Sequence, residues 1–392
     1  MKRAGAKREH TGGRSDILIY LDNAATSFLK PQSVYNAVAA ALKSSASPGR
    51  GGYKAAVKAS ETLYAAREAL SELFNIASPE NIIFTDNATT AINTGLKGIA
   101  GHGIAISKME HNAVARPAKK LSDSGEKVVM IDADSDGFIT PEAVERVLSS
   151  SKVGAVCLIH ASNVCGSLND IKSIGEIVKR HNAVFMVDAS QSAGCTDIDV
   201  EACKIDLLAF PGHKGLLGPQ GTGGLYIREG LTLNTLTEGG TGSMSESLLQ
   251  PDIMPDRFES GTQNVPGIAG LYEGVRFVKK VGAAAIGEKE RYLSKILAED
   301  LSSIEGVRVC GKPGSGASVG VVSVTTRLGS VELADMLAKD YSIAVRAGLH
   351  CAPLAHRSLG TLESGTVRFS PGFFTTKENV KYAARAVARC LK

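Results

Sequence analysis

Seven short apolar runs mark the middle of the chain: IIF (82–84), IAI (104–106), KVVMI (127–131), AVCLI (155–159), AVFMV (183–187), DLLAF (206–210) and GGLYI (223–227). Several are separated by segments of helical texture, such as NDIKSIGEIVKRHN (169–182). A strand that is apolar on both faces needs cover on both sides. Such strands alternating with helices therefore predict a mostly parallel sheet sandwiched between helical layers. The expectation is one large α/β domain with a seven-stranded sheet, over residues 31–267.

Upstream, KPQSVYNAVAAALKSS (30–45) carries Pro31 near a helix start, and KAAVKASETLYAAREALSELFN (54–75) reads as a longer helix. Past about residue 265 the texture changes. Long charged helical runs give way to the short strand-like pieces GVRVCG, GVVSVTT, IAVRAG and TVRFSP, then a last helix at 377–391. Residues 16–30 and 268–392 are expected to form a second, smaller α+β domain. A chain of 392 residues suits a large domain plus a smaller one.

Charge and composition narrow the class. Hydrophobic content of 43% and charged content of 21% describe an ordinary globular protein. No apolar run is long enough to span a bilayer. The opening MKRAGAKREHTGGRSD has no apolar stretch behind it, so it does not read as a secretory signal. A cytoplasmic protein, without membrane or nucleic-acid partner, is expected. The net charge of +4 sits in residues 1–15, where Lys2, Arg3, Lys7, Arg8 and Arg14 face only Glu9. The rest of the chain is neutral, so the basic excess reads as a disordered tail over 1–15 rather than a nucleic-acid face. The seven cysteines are odd in number and form no CxxC pair, which argues against a disulfide framework or a zinc site. No metal site is expected.

In open α/β sheets, ligands bind beyond the C-terminal ends of the strands. After IIF comes NATTAIN (87–93), a helix start whose Thr89 and Thr90 can cup a phosphate or simply cap the helix. After IAIS comes MEHNA with His111, and after AVCLIH comes ASNVCG with Asn163. After AVFMV comes DASQSAG with Asp188 and Gln191, and after DLLAF comes PGHKG with His213 and Lys214. A lone histidine in such a place is more often structural. An acid there is costly to bury unless a cation answers it. Taken together, the five sites suit one cofactor, pyridoxal 5′-phosphate. It needs an amine to join its aldehyde, an acid against its ring nitrogen, a phosphate cup and a group stacked on the ring. The glycines around Lys214 let the chain turn and approach the phosphate. A nucleotide is the rival occupant of the cup, but GxxxxGK[ST] is absent, as is GxGxxG after the first strand.

These stretches resemble the class V, fold-type-I pyridoxal-phosphate enzymes, and among them the cysteine desulfurases. YLDNAATSFLKP (20–31), NATTAIN (87–93), MEHNA (109–113), HASNVCG (160–166), VDASQSAG (187–194), GHKGLLGPQGTGGLY (212–226), RFESGTQN (257–264) and RAGLHCAP (346–353) carry the resemblance. It implies Lys214 as the lysine joined to the cofactor, Asp188 against the pyridine nitrogen and Gln191 against the phenolic oxygen. It implies His111 stacked on the ring, and Thr89, Thr90 and His213 on the phosphate. Thr262 matches a threonine that reaches the phosphate of the neighbouring subunit, so a homodimer is implied. Asn163 and Arg368 match residues that hold the substrate carboxylate. Cys351, with His350, Arg346 and His356 nearby, resembles the nucleophile of the short active-site loop in group II, selenocysteine lyase-like desulfurases. Cationic neighbours raise the reactive thiolate fraction of such a cysteine.

The sequence also departs from the family pattern. Pro211 stands where many relatives carry a serine, and Leu349 where group II enzymes often have a histidine. SPGRGGY (47–53) differs from the usual His-Arg-Gly pattern, though Arg50 remains, and SPGFFTT after Arg368 differs from the common Tyr-Asn-Thr run. The activity implied is conversion of L-cysteine to L-alanine with a persulfide on Cys351, and His111 as proton carrier. A selenocysteine lyase, an aminotransferase, an epimerase and a non-catalytic cofactor-binding scaffold are the alternatives. Iron–sulfur assembly proteins, thiolation enzymes and selenium pathways all stay open as sulfur acceptors.

Overall fold

The structure is a computed structural model and describes residues 18–49 and 51–392. The basic tail over 1–15, the first two residues of the expected small domain and Arg50 lie outside the described residues. β1 (Ile19–Tyr20) precedes α1 (Gln32–Ser44) and α2 (Lys54–Phe74). The chain then runs β2 (Ile82–Thr85), α3 (Ala88–Gly98), β3 (Ile104–Ser107), α4 (Asn112–Asp123), β4 (Val128–Ile131) and α5 (Pro141–Ser150). Next come β5 (Ala155–Ile159), α6 (Ile171–Arg180), β6 (Val184–Asp188), β7 (Leu207–Pro211) and β8 (Gly223–Ile227).

These strands form the expected seven-stranded sheet, in the order β2-β8-β7-β6-β5-β3-β4. Only β8 runs antiparallel to its neighbours β2 and β7. β5, β7 and β8 are buried at every residue, which explains their unbroken apolar texture. The edge strand β4 is the exception, with Met130 40% exposed. Two of the apolar runs shift by one residue. Asp206 stands just before β7, where its carboxylate accepts from Phe185 N at 2.8 Å and pairs with Arg228. Asp188 joins β6 because it pairs in register with both Ile159 and Ala209. Sequence-encoded caps start the covering helices: Asn87 for α3, Thr140 with Pro141 for α5, and Asp170 for α6.

The remainder comprises α7 (Val265–Val281), α8 (Ala283–Ser302), β9 (Arg308–Cys310), β10 (Val322–Thr325), α9 (Ser330–Tyr341) and β11 (Ile343–Ala344). β12 (Arg346–Gly348), α10 (Pro353–Ser358), β13 (Thr366–Phe369) and α11 (Lys377–Cys390) complete the chain. An antiparallel sheet, β12-β13-β10-β9, packs with α8, α9 and α11 around Leu297, Val322, Phe369 and Val387. β1 pairs with β11 and ties the start of the chain to this second core. The boundary expected at 267/268 falls within α7, whose Ile268, Leu271 and Val275 belong to the core of the large sheet.

The chain leaves β3 towards β4 on one side, while β5, β6 and β7 lie on the other. The strand order therefore reverses beside β3, and a crevice opens there at the C-terminal edge. The second domain meets the same edge. Asp22 bridges to Ser370, and Ser323 Oγ donates to Val164 O at 2.5 Å.

Candidate functional site

Five strand ends deliver the polar residues singled out from the sequence. At the end of β2, Asn87 caps α3 by accepting from Thr90 N at 2.9 Å, and it lies 3.5 Å from Thr90 Oγ1. Thr89, one residue before Thr90, is exposed. A Cβ on Gly223 would stand 2.9 Å from the Asn87 backbone carbonyl carbon, so glycine lets β8 pack against this helix start. After β3, Glu110 is fully buried. Its Oε1 accepts from Ile159 N at 2.9 Å and from Ser107 Oγ. That carboxyl clips the β3–α4 turn to β5 and so fixes the height of His111. His111 Nδ1 accepts from Ala113 N at 3.1 Å, which leaves Nε2 as the proton-bearing nitrogen of the neutral ring. After β6, the buried Asp188 accepts from Ser190 N at 2.9 Å through Oδ1. Gln191 Nε2 donates to Ala24 O at 3.0 Å.

Beyond β7, the N-terminal loop grips the lysine turn. His213 O accepts from Ser27 N at 3.0 Å, and Thr26 Oγ1 lies 3.1 Å from His213 Nδ1. Behind the lysine, a Cβ on Gly215 would stand 2.3 Å from Ala193 O, so only glycine allows the two turns to touch. Lys214 thus projects from a turn held on both sides.

The charges of the crevice act on one another. Burial lowers the Lys214 amine to about 8; Asp188 opposes that change, while Arg368 and Arg346 reinforce it. Burial also takes His111 down to about 4 against the pull of Asp188, and takes His213 to about 4. Both imidazoles are neutral at pH 7. Burial raises the Glu110 carboxyl to about 8, so it is protonated there.

Arg368 and Asn163 are buried against one another. Arg368 is 1% exposed, donates from Nη2 to Asp22 Oδ1 at 2.8 Å and from Nη1 to Asn163 O at 3.0 Å. Its Nε and the Asn163 Oδ1 are buried without a hydrogen-bond partner among the described residues. The guanidinium is therefore not a free fork, since an internal carboxylate already engages one arm.

Cys351 is exposed, and Arg346 Nη2 reaches its Sγ at 3.6 Å. The two histidines expected to add positive charge do not. His350 is buried against Thr366 Oγ1 at 2.8 Å, and burial pushes it down to about 2. His356 is buried against Thr361 Oγ1 at 2.7 Å and is also lowered by burial. For His350 a left-handed turn is the cause, with His350 at φ +48° and Cys351 at φ +57°. Adjacent residues in such a turn point apart, one inward and one to solvent. Two carbonyls latch the turn: His350 O accepts from Asn163 Nδ2, and Cys351 O from Asn112 N, both at 2.7 Å.

Lys214 and Gln191 line one cleft with Asn23 and Ala24. Thr89, His111 and Cys351 line another, of about 390 Å³. Thr262 is exposed and lines neither; it borders a third cavity, of about 340 Å³, beside the buried Arg67–Glu259 pair. Among the described residues, no group of three His, Cys, Asp or Glu side chains is arranged to hold a metal ion. Sequence reasoning passed over Asp22, Thr26, Asn87 and Glu110. Each adjoins or lies within a stretch quoted above, but its partner is tens to hundreds of residues away or in a local cap.

Comparison with known proteins agrees with this arrangement. The sequence profile described as Aminotransferase class-V matches residues 19–383. A "Probable cysteine desulfurase" of Methanothermobacter thermautotrophicus is 33% identical over 373 residues, covering 93% of this chain and 92% of the relative. "Cysteine desulfurase IscS" of Pseudomonas entomophila is 33% identical over 393 residues, covering 95% and 92%. Among solved structures, the apo cysteine desulfurase of Thermococcus onnurineus superposes with a TM-score of 0.89 at 32% identity, covering 95% of this chain and 94% of that one.

Proposed function

Because the chain belongs to the class-V aminotransferase family, and within it to the cysteine desulfurases, we propose that its crevice holds pyridoxal 5′-phosphate on Lys214 and takes sulfur from L-cysteine onto Cys351. The observation that carries this reading is one of placement. A half-buried lysine with a lowered pKa lies within the field of Asp188, and an exposed cysteine shares a cleft with His111.

The donor set fits the cofactor. Lys214 Nζ makes no hydrogen bond among the described residues, and the orphaned Asn163 Oδ1 and Arg368 Nε sit in the same field of charges. Asp188 would face the ring nitrogen, Gln191 the phenolic oxygen and His111 the ring face. Thr89, Thr90 and His213 would take the phosphate. When bound, the cofactor supplies an electron sink for the carbon bearing the substrate's amino group.

The chain's own groups do the rest. Arg368, Asn163 and Arg346 orient the substrate carboxylate. The Lys214 amine, half neutral at about pH 8, takes the Cα proton. His111 moves a proton at Nε2. The Cys351 thiolate attacks the substrate sulfur. The electron pair of the breaking Cβ–Sγ bond stays with carbon, which takes up a proton and departs in alanine, while the sulfur stays on Cys351 as a persulfide.

The same reading pairs two copies of the chain, with Thr262 reaching the neighbour's phosphate. The exposed Leu248 and Leu249 lie in the loop that leads to Thr262, and apolar side chains in that position favour a covered face. Among the described residues, no helix is long and apolar enough to cross a membrane.

The test is to incubate the cofactor-loaded protein with L-cysteine and dithiothreitol and to assay alanine and sulfide together. Equal amounts of both are expected. Lys214→Ala is expected to abolish both products. Cys351→Ala is expected to lose at least 100-fold in rate while keeping the cofactor's absorbance. Undiminished turnover in either variant would sink the proposal.

A further inference from the structure

Glu110 is a buried acid of the crevice to which the chemistry above gives no part. It stands in the β3–α4 turn, one residue before His111, with no exposed surface. Oε1 accepts from Ile159 N on β5 at 2.9 Å and from Ser107 Oγ at the end of β3. That hydroxyl in turn accepts from Met109 N at 3.1 Å, so one carboxyl organises the whole turn. Oε2 is buried without a hydrogen-bond partner among the described residues, and no cation there pairs with the carboxyl. A carboxylate taken out of water without a cation is costly, whereas the neutral acid is far less so.

The groups around Glu110 favour the neutral acid. Asp188 on β6 adds a negative charge, and Cys157 on β5 stays a thiol because burial pushes it well above its usual range. Lys108, two residues back, is turned to the surface, where it pairs with Asp132. Burial, with Asp188 in support, outweighs the hydrogen bonds from Ser107 and Ile159 and holds the acid at about 8. An uncharged Glu110 leaves His111 beside one carboxylate, Asp188, rather than two. A second negative charge would favour the imidazolium. Its Nδ1 would then carry a proton and face the Ala113 N–H, donor against donor, and the cap on α4 would be lost.

We propose that Glu110 is a positioning residue for the reaction: as a neutral acid it pins the β3–α4 turn to β5 and keeps His111 an uncharged ring with its proton on Nε2. The proposal rests on the reading of His111 as the proton carrier. Glu110 acts through His111 and touches neither substrate nor cofactor. The arrangement also leaves a mark on stability. The unfolded chain ionises this side chain near 4.5, while the folded chain keeps the proton to about 8. Over that interval the folded state binds more protons, so the contribution of Glu110 to stability falls as the pH rises.

Glu110→Gln keeps the shape and the acceptor oxygen of the neutral acid but cannot ionise, whereas Glu110→Ala removes the tie. With the holoenzyme, L-cysteine and dithiothreitol, Glu110→Gln is expected to hold kcat within about twofold of wild type. Glu110→Ala is expected to lose about tenfold or more in kcat with little change in KM, because a misplaced proton carrier costs rate rather than binding. In the apo-protein, the urea midpoint of the wild type is expected to fall relative to that of Glu110→Gln between pH 5 and pH 8. The His111 ring, identified in histidine NMR spectra by its loss in His111→Gln, is expected to titrate at about 4 in wild type and Glu110→Gln. In Glu110→Ala it is expected to move towards 6.5. A Glu110→Gln protein that loses tenfold in kcat, or a stability difference from wild type that does not change with pH, overturns the proposal, and both readings hold even where Glu110→Ala does not fold. Failure of the wild-type protein to make alanine overturns instead the desulfurase reading, and the role of Glu110 in the reaction with it.

Discussion

Lys214 shows how a surrounding sets the chemistry of one side chain. An exposed lysine titrates near 10.5, and burial in the crevice brings this one to about 8. Asp188 is what keeps the value from falling further, because its negative charge favours the ammonium form. Joining an aldehyde requires the neutral amine. Uptake of pyridoxal 5′-phosphate by the apo-protein is therefore expected to rise with pH and to be half-maximal near 8, followed by the growth of the cofactor's absorbance in stopped flow. In Asp188→Asn the midpoint is expected to move to lower pH. A midpoint near 10.5, or an upward move, would contradict the assigned surroundings. The same burial makes the contribution of Lys214 to apo-protein stability rise between about pH 8 and 10.5, where the unfolded chain binds the proton that the folded chain has lost, and the difference in unfolding free energy between the wild type and Lys214→Met isolates it from the buried thiols that titrate in the same range. At this scale much was legible. Asp188 closes β6, while His111 and Lys214 lie four and three residues beyond the ends of β3 and β7, so their addresses could be read off the apolar runs. Glu110 was not legible, because a glutamate beside a histidine looks like a solvated turn residue. Only the approach of Ile159 N shows it buried.

The Cys351 loop carries the lesson at the scale of an element. Proximity in sequence suggested that His350, His356 and Arg346 would all charge the neighbourhood of the thiol. The left-handed turn sends His350 into the core and leaves Arg346 as the cation in contact. Left-handed backbone at a residue other than glycine costs about 1–3 kcal/mol, so the turn persists only where its surroundings hold it. Asn163 is one holder, through its 2.7 Å bond to His350 O. Asn163→Ala is expected to lose about 1–3 kcal/mol in denaturant unfolding, the range for stranding a buried partner. It is also expected to speed hydrogen exchange of the backbone over 348–352 and to slow persulfide formation more than cofactor uptake. An unchanged exchange pattern would show that the latch at Asn112 suffices alone. The strand and helix texture was visible in the sequence because burial on two faces leaves a local record. The latches were not, since each joins residues 187 or more positions apart, in the case of Asn163, or meets backbone atoms that carry no sequence signal.

At the scale of the whole molecule, Thr262 is the residue that a single chain leaves out of the site. It borders a cavity beside Arg67 and Glu259 and does not share a cleft with Lys214. The motif RFESGT marks it in the sequence, but a sequence cannot say which copy of a fold a side chain serves. If it serves the neighbour, each complete site draws Lys214 from one chain and Thr262 from the other. On that reading Thr262→Val alone is expected to lose one hydrogen bond to a charged group, worth about 1.5–3 kcal/mol, and so to weaken cofactor binding about 10- to 160-fold. Lys214→Ala alone abolishes turnover. In a hybrid of the two variants, one site has Lys214 from the Thr262→Val chain and Thr262 from the Lys214→Ala chain, and is intact. The other site lacks both. Hybrids purified through two different tags are therefore expected to bind one cofactor per dimer with wild-type affinity, by titration of absorbance, and to retain about half the wild-type rate. A threonine acting within its own chain predicts the opposite: every hybrid site is defective, and the cofactor affinity stays as weak as in Thr262→Val.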